Sequence, residues 1–342
     1  MTADPAPSRP SLTQVAALSG VSVKTASRAL GGEPRVAADT RMRVQHAADQ
    51  LGYRLNGIAR ELRRGANAST LVGLLTGDLA NPFYSQLASG LERELRMHGL
   101  QLITASTDED PQWERQLLDT LFERRVRALV IASAAAEHGH LAAEHRHGIP
   151  FVFVDRPPVN LTADVVLLDN HNGARQAGAH LIAAGHRRIG VVGDLSRLTT
   201  HRERVAGFAE AMTTAGISDW ADYLVQDAHD VVTAERAVLD LLSRTPPPTA
   251  LFTTNNRITN GALRALRGHP APPALIGFDD LDLGEVLGVS VIAHDTEKMG
   301  QRAAQLLLDR INGDGGPAQR AVIPTRLLAR GSGESPPRDH LG

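Results

Sequence analysis

The sequence predicts an α/β protein built from two unlike parts: a small all-α helix-turn-helix head and two doubly wound α/β lobes. Three observations carry this. Near the amino terminus a helix-starting pattern occurs twice, with a glycine turn between the two copies. From about residue 70, short apolar runs alternate with amphipathic stretches, the order of βαβ units in a parallel sheet. Charge divides at the same place, because residues 1–64 hold 10 basic and 5 acidic side chains in a chain with 36 Lys+Arg and 38 Asp+Glu. A basic head before a mildly acidic body suggests that the head meets a polyanion and the body does something else.

Each element of the head follows from local chemistry. Ser11-Leu12-Thr13-Gln14 fits a capping box, so a helix starts there, runs through Val15, Ala16 and Leu18, and stops at Ser19-Gly20. Ser22 caps a second helix, Val23 to Leu30, which Gly31-Gly32 closes. At ~100° per residue, Ala26, Ala29 and Leu30 share an apolar arc, whereas Val23, Lys24, Ser27 and Arg28 occupy the other side. One face packs and the other is free to read. A third helix, from roughly Asp39 to Leu51, completes the core with Val44, Ala47, Ala48 and Leu51.

The body reads as two sets of strands. Leu71 to Leu75, Leu100 to Thr104, Ala128 to Ala132 and Phe151 to Val154 form the first, with helices near 83–98, 111–124 and 138–147. The second begins at Val165 to Leu168 and continues with Arg188 to Val192, Tyr223 to Val225, Ala250 to Thr253 and Leu275 to Gly277. Ligands of such folds bind beyond the carboxyl ends of the strands, so a cleft between two facing lobes is the expected site.

The 342 residues suit two or three domains, and 42% hydrophobic residues can fill their cores. Without cysteine there is no disulfide, thiolate zinc site or cysteine nucleophile. MTADPAPSRP lacks a basic region followed by an apolar core, and no apolar run approaches the roughly 20 residues of a membrane span. A cytoplasmic protein without membrane contact is expected. No Gly-x-Ser-x-Gly elbow, phosphate loop or acid-base constellation can be assembled, so neither an enzyme nor a cofactor is expected. His140, Glu144 and His147 have ligand-like spacing, but Arg146 opposes a cation and a solvated helix is the expectation.

SLTQVAALSGVSVKTASRAL and VAADTRMRVQHAADQLGYRLNGIARELRRG together resemble the head of the LacI/GalR family of bacterial transcription regulators. The resemblance implies that Val23, Lys24 and Arg28 face base edges in the major groove, with Ser11, Ser22, Thr25, Ser27, Tyr53 and Asn56 near phosphates. The chemistry agrees, since Arg28 can bond guanine through two donors and Val23 can meet a thymine methyl. Asn56 to Arg64 is similar to the family's hinge helix, which orders on operator DNA and pushes a leucine into the minor groove. Leu62 occupies that position, and Ala59 is counted with it among the DNA-binding residues. Leu55, Gly57 and Ala37 depart from the family pattern. The former two bear on the hinge's folding energy, and Ala37 replaces the usual serine cap of the third helix.

The resemblance continues through VGLLTGDLANPFYSQLASGLE, GIPFVFVDRP, TALFTTNN and LIGFDDL, and the body also looks like periplasmic sugar-binding proteins. It implies an effector pocket with Phe83 and Tyr84 as walls and Asp155, Arg204, Asn255 and Asp279 as polar contacts. Such groups suit a hydroxyl-rich ligand such as a sugar. Asp280 is assigned to a turn.

The implied domains are a DNA-binding head (1–55), a hinge helix and linker (56–69), and a two-lobed effector-binding and dimerisation domain (70–330). Its N-lobe covers about 70–163 and 296–322, and its C-lobe about 164–295 and 323–330; residues 331–342 form a disordered tail. The implied function is a homodimeric repressor of a pseudo-palindromic operator, released by a small effector, a sugar or sugar derivative. A corepressed regulator with a purine or nucleoside effector, and a solute-binding protein without DNA function, are the alternatives.

Overall fold

The computed structural model describes residues 10–54 and 69–337. They belong to two compact units, divided after Ser69.

Among the described residues, the first unit holds three helices, α1 (Leu12–Ser19), α2 (Val23–Leu30) and α3 (Ala38–Leu51). The capping box forms: Gln14 N–H donates to Ser11 Oγ at 3.3 Å, and Ser11 N–H donates to Gln14 Oε1 at 2.7 Å. Gly20 then ends α1 at φ 68°, a left-handed turn that glycine adopts without steric cost. Ser22 Oγ accepts from Thr25 N–H at 3.1 Å and starts α2. Ala37 gives α3 no side-chain cap, but Arg41 Nη2 donates to Glu33 O at 2.7 Å and ties the preceding loop to that helix. Val15, Ala16, Ala26, Ala29, Val44, Ala47 and Ala48 form the core. Ser27 is also buried, unlike its expected companions on the free face. Its position lies next to the packed arc of α2, close enough for the bundle to cover a small side chain.

The second unit contains two six-stranded sheets. In the N-lobe the order is β11-β5-β4-β3-β1-β2, all parallel, with β1 Leu71–Thr76, β2 Gln101–Ser106, β3 Ala128–Ile131, β4 Phe151–Val154, β5 Asp164–Leu168 and β11 Arg320–Ile323. The C-lobe sheet runs β12-β10-β9-β8-β6-β7, with β6 Ile189–Val192, β7 Leu224–Val225, β8 Ala250–Thr253, β9 Ala274–Phe278, β10 Ser290–His294 and β12 Thr325–Leu328. Only β12 is antiparallel to its neighbour.

Three expectations need correction. The strand at 164–168 belongs to the N-lobe, because β5 pairs with β4 (Val152↔Asp164) and with β11 (Arg320↔Val165). The C-lobe therefore starts after Leu168 and not at 164; alternation along the chain gives an order of strands but not their partners. The tail is not disordered over 331–337. Ser332 O accepts from Leu275 N–H at 2.8 Å, Ser332 Oγ donates to Leu275 O at 2.6 Å, and Ser290 Oγ donates to Glu334 at 2.8 Å. This segment satisfies backbone groups at the start of β9, a long-range role that its polar composition does not advertise. Residues 138–147 form a 3-10 turn, Gly139–Leu141, and a short helix, Ala142–Arg146, in place of one solvated helix. His138 is buried there, and its Nδ1 accepts from Val159 N–H at 2.9 Å.

The chain crosses between lobes after β5, after β10 and between β11 and β12. The second crossing returns helix Thr296–Ile311 to the N-lobe, where it packs on helix Pro82–Met97. A Cβ at Gly90 would overlap Glu297 O, and one at Gly300 would overlap Leu87 O, so the two backbones touch through glycines. Gly300→Ala must push them apart and is expected to lower the unfolding free energy by about 1–3 kcal/mol. Urea denaturation checks this, and an unchanged midpoint would contradict the packing.

Candidate functional site

All six side chains expected in the effector pocket line one cavity between the lobes. Each stands at the carboxyl end of a strand or on the helix near it. Phe83 and Tyr84 open the helix that follows β1, where Asn81 is the cap and Pro82 the first residue. Their rings meet edge to face at 5.0 Å. Asp155 follows β4 and Asp279 follows β9, and both are buried with left-handed backbones, φ 67° and 68°. Two non-glycine residues held in this conformation at equivalent strand ends are a strained pair, which fits a binding role.

Arg204 is the hub of the C-lobe side. Its Nε donates to Asn170 Oδ1 at 2.8 Å and its Nη1 to Thr254 O at 2.6 Å, while its guanidinium lies 3.8 Å over the Phe278 ring. Nη2 faces Asp279 at 3.9 Å. Asp279 also binds His294 Nε2 at 2.8 Å and accepts from Asn256 N–H. Asn255 has a structural task as well, capping the next helix through Ile258 N–H at 2.9 Å and donating Nδ2 to Asp194 at 2.8 Å. Asp280, as expected, serves a turn, where Arg330 grips it through both carboxylate oxygens.

Burial pushes the Asp155 carboxyl up to about 6, against the pull of Arg156 and Arg204. Burial acts on Asp279 in the same direction, but Arg204 and His294 outweigh it and hold that carboxyl below its ordinary range. Asp194 behaves likewise: burial is overcome by His229, whose Nδ1 lies 2.6 Å away, and the same hydrogen bond raises the imidazole.

Sequence reasoning missed Asp78, Asn81, Glu109, Arg156, Asp194, His229 and Arg257, all of which line the cavity. For Arg156 a signal existed, since it directly follows Asp155 at a strand end. Glu109 had none, lying in the loop after β2. Several of these residues bridge the lobes: Arg257 pairs with Asp78, Asn256 Nδ2 donates to Asn81 Oδ1 at 2.8 Å, and Arg197 Nη2 donates to Glu109 O at 2.7 Å. The space left is about 40 Å³, enough for a few waters. These contacts between the lobes hold the cleft closed.

In the head, Val23, Lys24 and Arg28 are exposed on one side of α2, with Ser22 at its start and Ser11 exposed at the start of α1. Thr25 and Tyr53 are half-buried, and the Thr25 hydroxyl lies 2.8 Å from that of Ser22. Arg28 Nε is 3.4 Å from Glu33. Asn56, Ala59 and Leu62, with Leu55 and Gly57, lie outside the described residues.

Residues 69–331 match the family of periplasmic binding proteins and the sugar binding domain of the LacI family, and residues 11–56 match the bacterial regulatory proteins of the lacI family. The chain belongs to the LacI family of bacterial transcriptional regulators. As a LacI-family member it is a DNA-binding regulator and not an enzyme. The HTH-type transcriptional regulator PtxS of Pseudomonas aeruginosa is 35% identical over 340 residues, covering 96% of this chain and 97% of that protein. A complex of the transcriptional regulator CelR with cellobiose is 29% identical, with a TM-score of 0.69 over 95% of this chain and 100% of that one. The lac repressor dimer bound to operator and the anti-inducer ONPF shares the fold at 23% identity, with a TM-score of 0.77 over 95% and 99% of the two chains. None of the described helices is long and apolar enough to cross a membrane.

Proposed function

We propose that this LacI-family regulator is a homodimeric repressor that reads a pseudo-palindromic operator and releases it when a small sugar-type effector binds the cleft. The observation that carries the reading is the closed cleft, whose polar groups stand at the facing strand ends of two lobes joined by three crossings. A ligand that favours one lobe arrangement shifts its population, and the strands leading to the two hinges move with it. Two heads on one two-fold axis would each read a half-site through Val23, Lys24 and Arg28, with Ser11, Ser22, Thr25, Tyr53 and Asn56 at phosphates and Ala59 and Leu62 at the centre; Ser27, buried in the bundle, drops out of that set. Leu283, Val286 and Leu287 expose apolar side chains close together after β9, surface that a second copy can cover. Phe83 and Tyr84 would wall the ligand, and Asp155, Arg204, Asn255 and Asp279 would bond its hydroxyls. Cellobiose in the CelR complex supports a sugar for this chain. Action on DNA supports a cytoplasmic location.

Fluorescence anisotropy on a labelled operator tests the sign. Mono- and disaccharides should weaken binding by the full-length protein, whereas an effector that tightens it would replace repression and release with corepression. The response should also depend on pH. With a folded-state value of about 6, Asp155 is ionised at pH 7 and protonated at pH 5, so its charge-assisted bond to a ligand hydroxyl is lost as pH falls through about 6. The stability contribution runs the other way: a raised carboxyl favours the folded state at low pH, and that contribution is lost as pH rises through about 6. Effector affinity should therefore fall between pH 7 and 5, with a shallower profile in Asp155→Asn. An equally steep profile in that variant would remove Asp155 as the titrating group.

A further inference from the structure

The sugar-type reading leaves open whether the effector is neutral or anionic, and the arginines of the cleft bear on this. Arg156 is buried, at 8% exposure, and most of its donors are taken. Nη1 donates to Glu109 Oε2 at 2.7 Å and Ser133 O at 2.8 Å; Nη2 donates to Glu109 Oε1 at 2.7 Å and Tyr84 Oη at 3.4 Å. A two-point grip on a carboxylate is the arrangement that a ligand carboxylate or phosphate would seek from a guanidinium. Here the protein's own side chain provides it.

Glu109 is built into this position. It is buried, its backbone is left-handed at φ 57°, and its carbonyl accepts from Arg197 Nη2 at 2.7 Å. Gly77 faces it, and a Cβ there would overlap Oε1, so the space is shaped for this carboxylate.

The other cations are matched too. Arg257 pairs with Asp78, His229 with Asp194, and Arg204 faces Asp279. Asp155 adds a further carboxylate, 3.5 Å from Arg156 Nε. An arriving anion would meet acidic side chains in a site screened from water, with no uncompensated cation among the described residues that line the cavity.

What stays open suits a neutral group. Arg156 Nε is buried and lacks a hydrogen-bond partner among the described residues. The Nε donor lies beside the Asp155 acceptor, and a hydroxyl, which both donates and accepts, satisfies such a pair. We infer that the cleft selects an uncharged polyhydroxylated effector, and that Glu109 sets this selectivity by occupying the Arg156 guanidinium. The inference rests on the sugar-type reading above.

Matched probes test it. The full-length protein and Glu109→Gln are titrated with glucose, gluconate and glucose 6-phosphate, with ribose and ribose 5-phosphate, and with cellobiose and cellobionate, and affinity is read from thermal unfolding shifts. In the wild-type protein the neutral member of a responding set should bind at least about tenfold more tightly than its acid or phosphate, and Glu109→Gln should shrink that ratio about tenfold. Wild-type preference for an anionic member, or an unchanged ratio in Glu109→Gln, would overturn the inference while leaving the sugar reading in place. If Glu109→Gln does not fold, Glu109→Asp, whose shorter side chain loosens the two-point grip on Arg156, takes its place in the same comparison. No response of either folded protein to any probe would remove the sugar reading itself, and the inference with it.

Discussion

Arg28→Ala should lower the affinity of the full-length protein for its operator roughly 5- to 150-fold, the equivalent of about 1–3 kcal/mol, and relax preference at one base position in each half-site. The side chain stands exposed in the last turn of α2, on the side that the core leaves free. A guanidinium there can place two donors on guanine O6 and N7, and alanine offers none. The base preference separates this role from a phosphate contact, whose loss weakens all sequences alike. Lys24→Ala is the useful comparison, because a lysine at this position can serve either purpose. Anisotropy titrations on the operator and on duplexes with each position exchanged provide the measurement. Unchanged preference in Arg28→Ala would remove it from the reading face.

Arg204→Ala should abolish the effector response while operator affinity without effector stays within about twofold. The guanidinium joins Asn170, Thr254, Asp279 and the Phe278 ring, and it is only 6% exposed. Its removal leaves the buried Asp279 carboxylate with only His294 and one backbone amide. Breaking such a network costs about 3–5 kcal/mol, so the variant should also melt earlier. The fall in stability alone would only show that the residue packs. Loss of release by an effector, at a temperature where the variant remains folded, is the result that assigns it to the pocket. A variant that releases DNA normally would contradict that role.

How much could be read in advance depends on how local the cause was. Ser11 with Gln14, Ser22 and Gly20 act within one turn of chain, so the caps and the turn of the head are legible from their neighbours alone. The arc of Ala26 and Ala29 follows from helical period in the same way. Ser27 shows its limit, since a small residue at the margin of the arc can fall inside. The strand at 164–168 reads correctly as a strand but is placed in the wrong lobe, because pairing with β11 depends on residues more than 150 positions away. The role of residues 331–337 is illegible locally for the same reason, since Ser332 and Glu334 bond Leu275 and Ser290, more than 40 positions away. Phe83, Tyr84, Asp155, Arg204, Asn255 and Asp279 could be proposed by family likeness, and the fold brings them around one cavity. Glu109, Asp194, His229 and Arg257 act through pairs formed between separate loops, which no local pattern encodes.

Repression as proposed requires α2 to read a symmetric DNA sequence. The most direct measurement is selection of bound duplexes from a random pool by the full-length wild-type protein at near-physiological salt, without sugar, alongside Arg28→Ala. A two-fold symmetric motif is expected for the wild-type protein, with a guanine in each half-site whose enrichment falls in Arg28→Ala. Failure of the folded wild-type protein to enrich any sequence, or the same motif with undiminished guanine in Arg28→Ala, would contradict it.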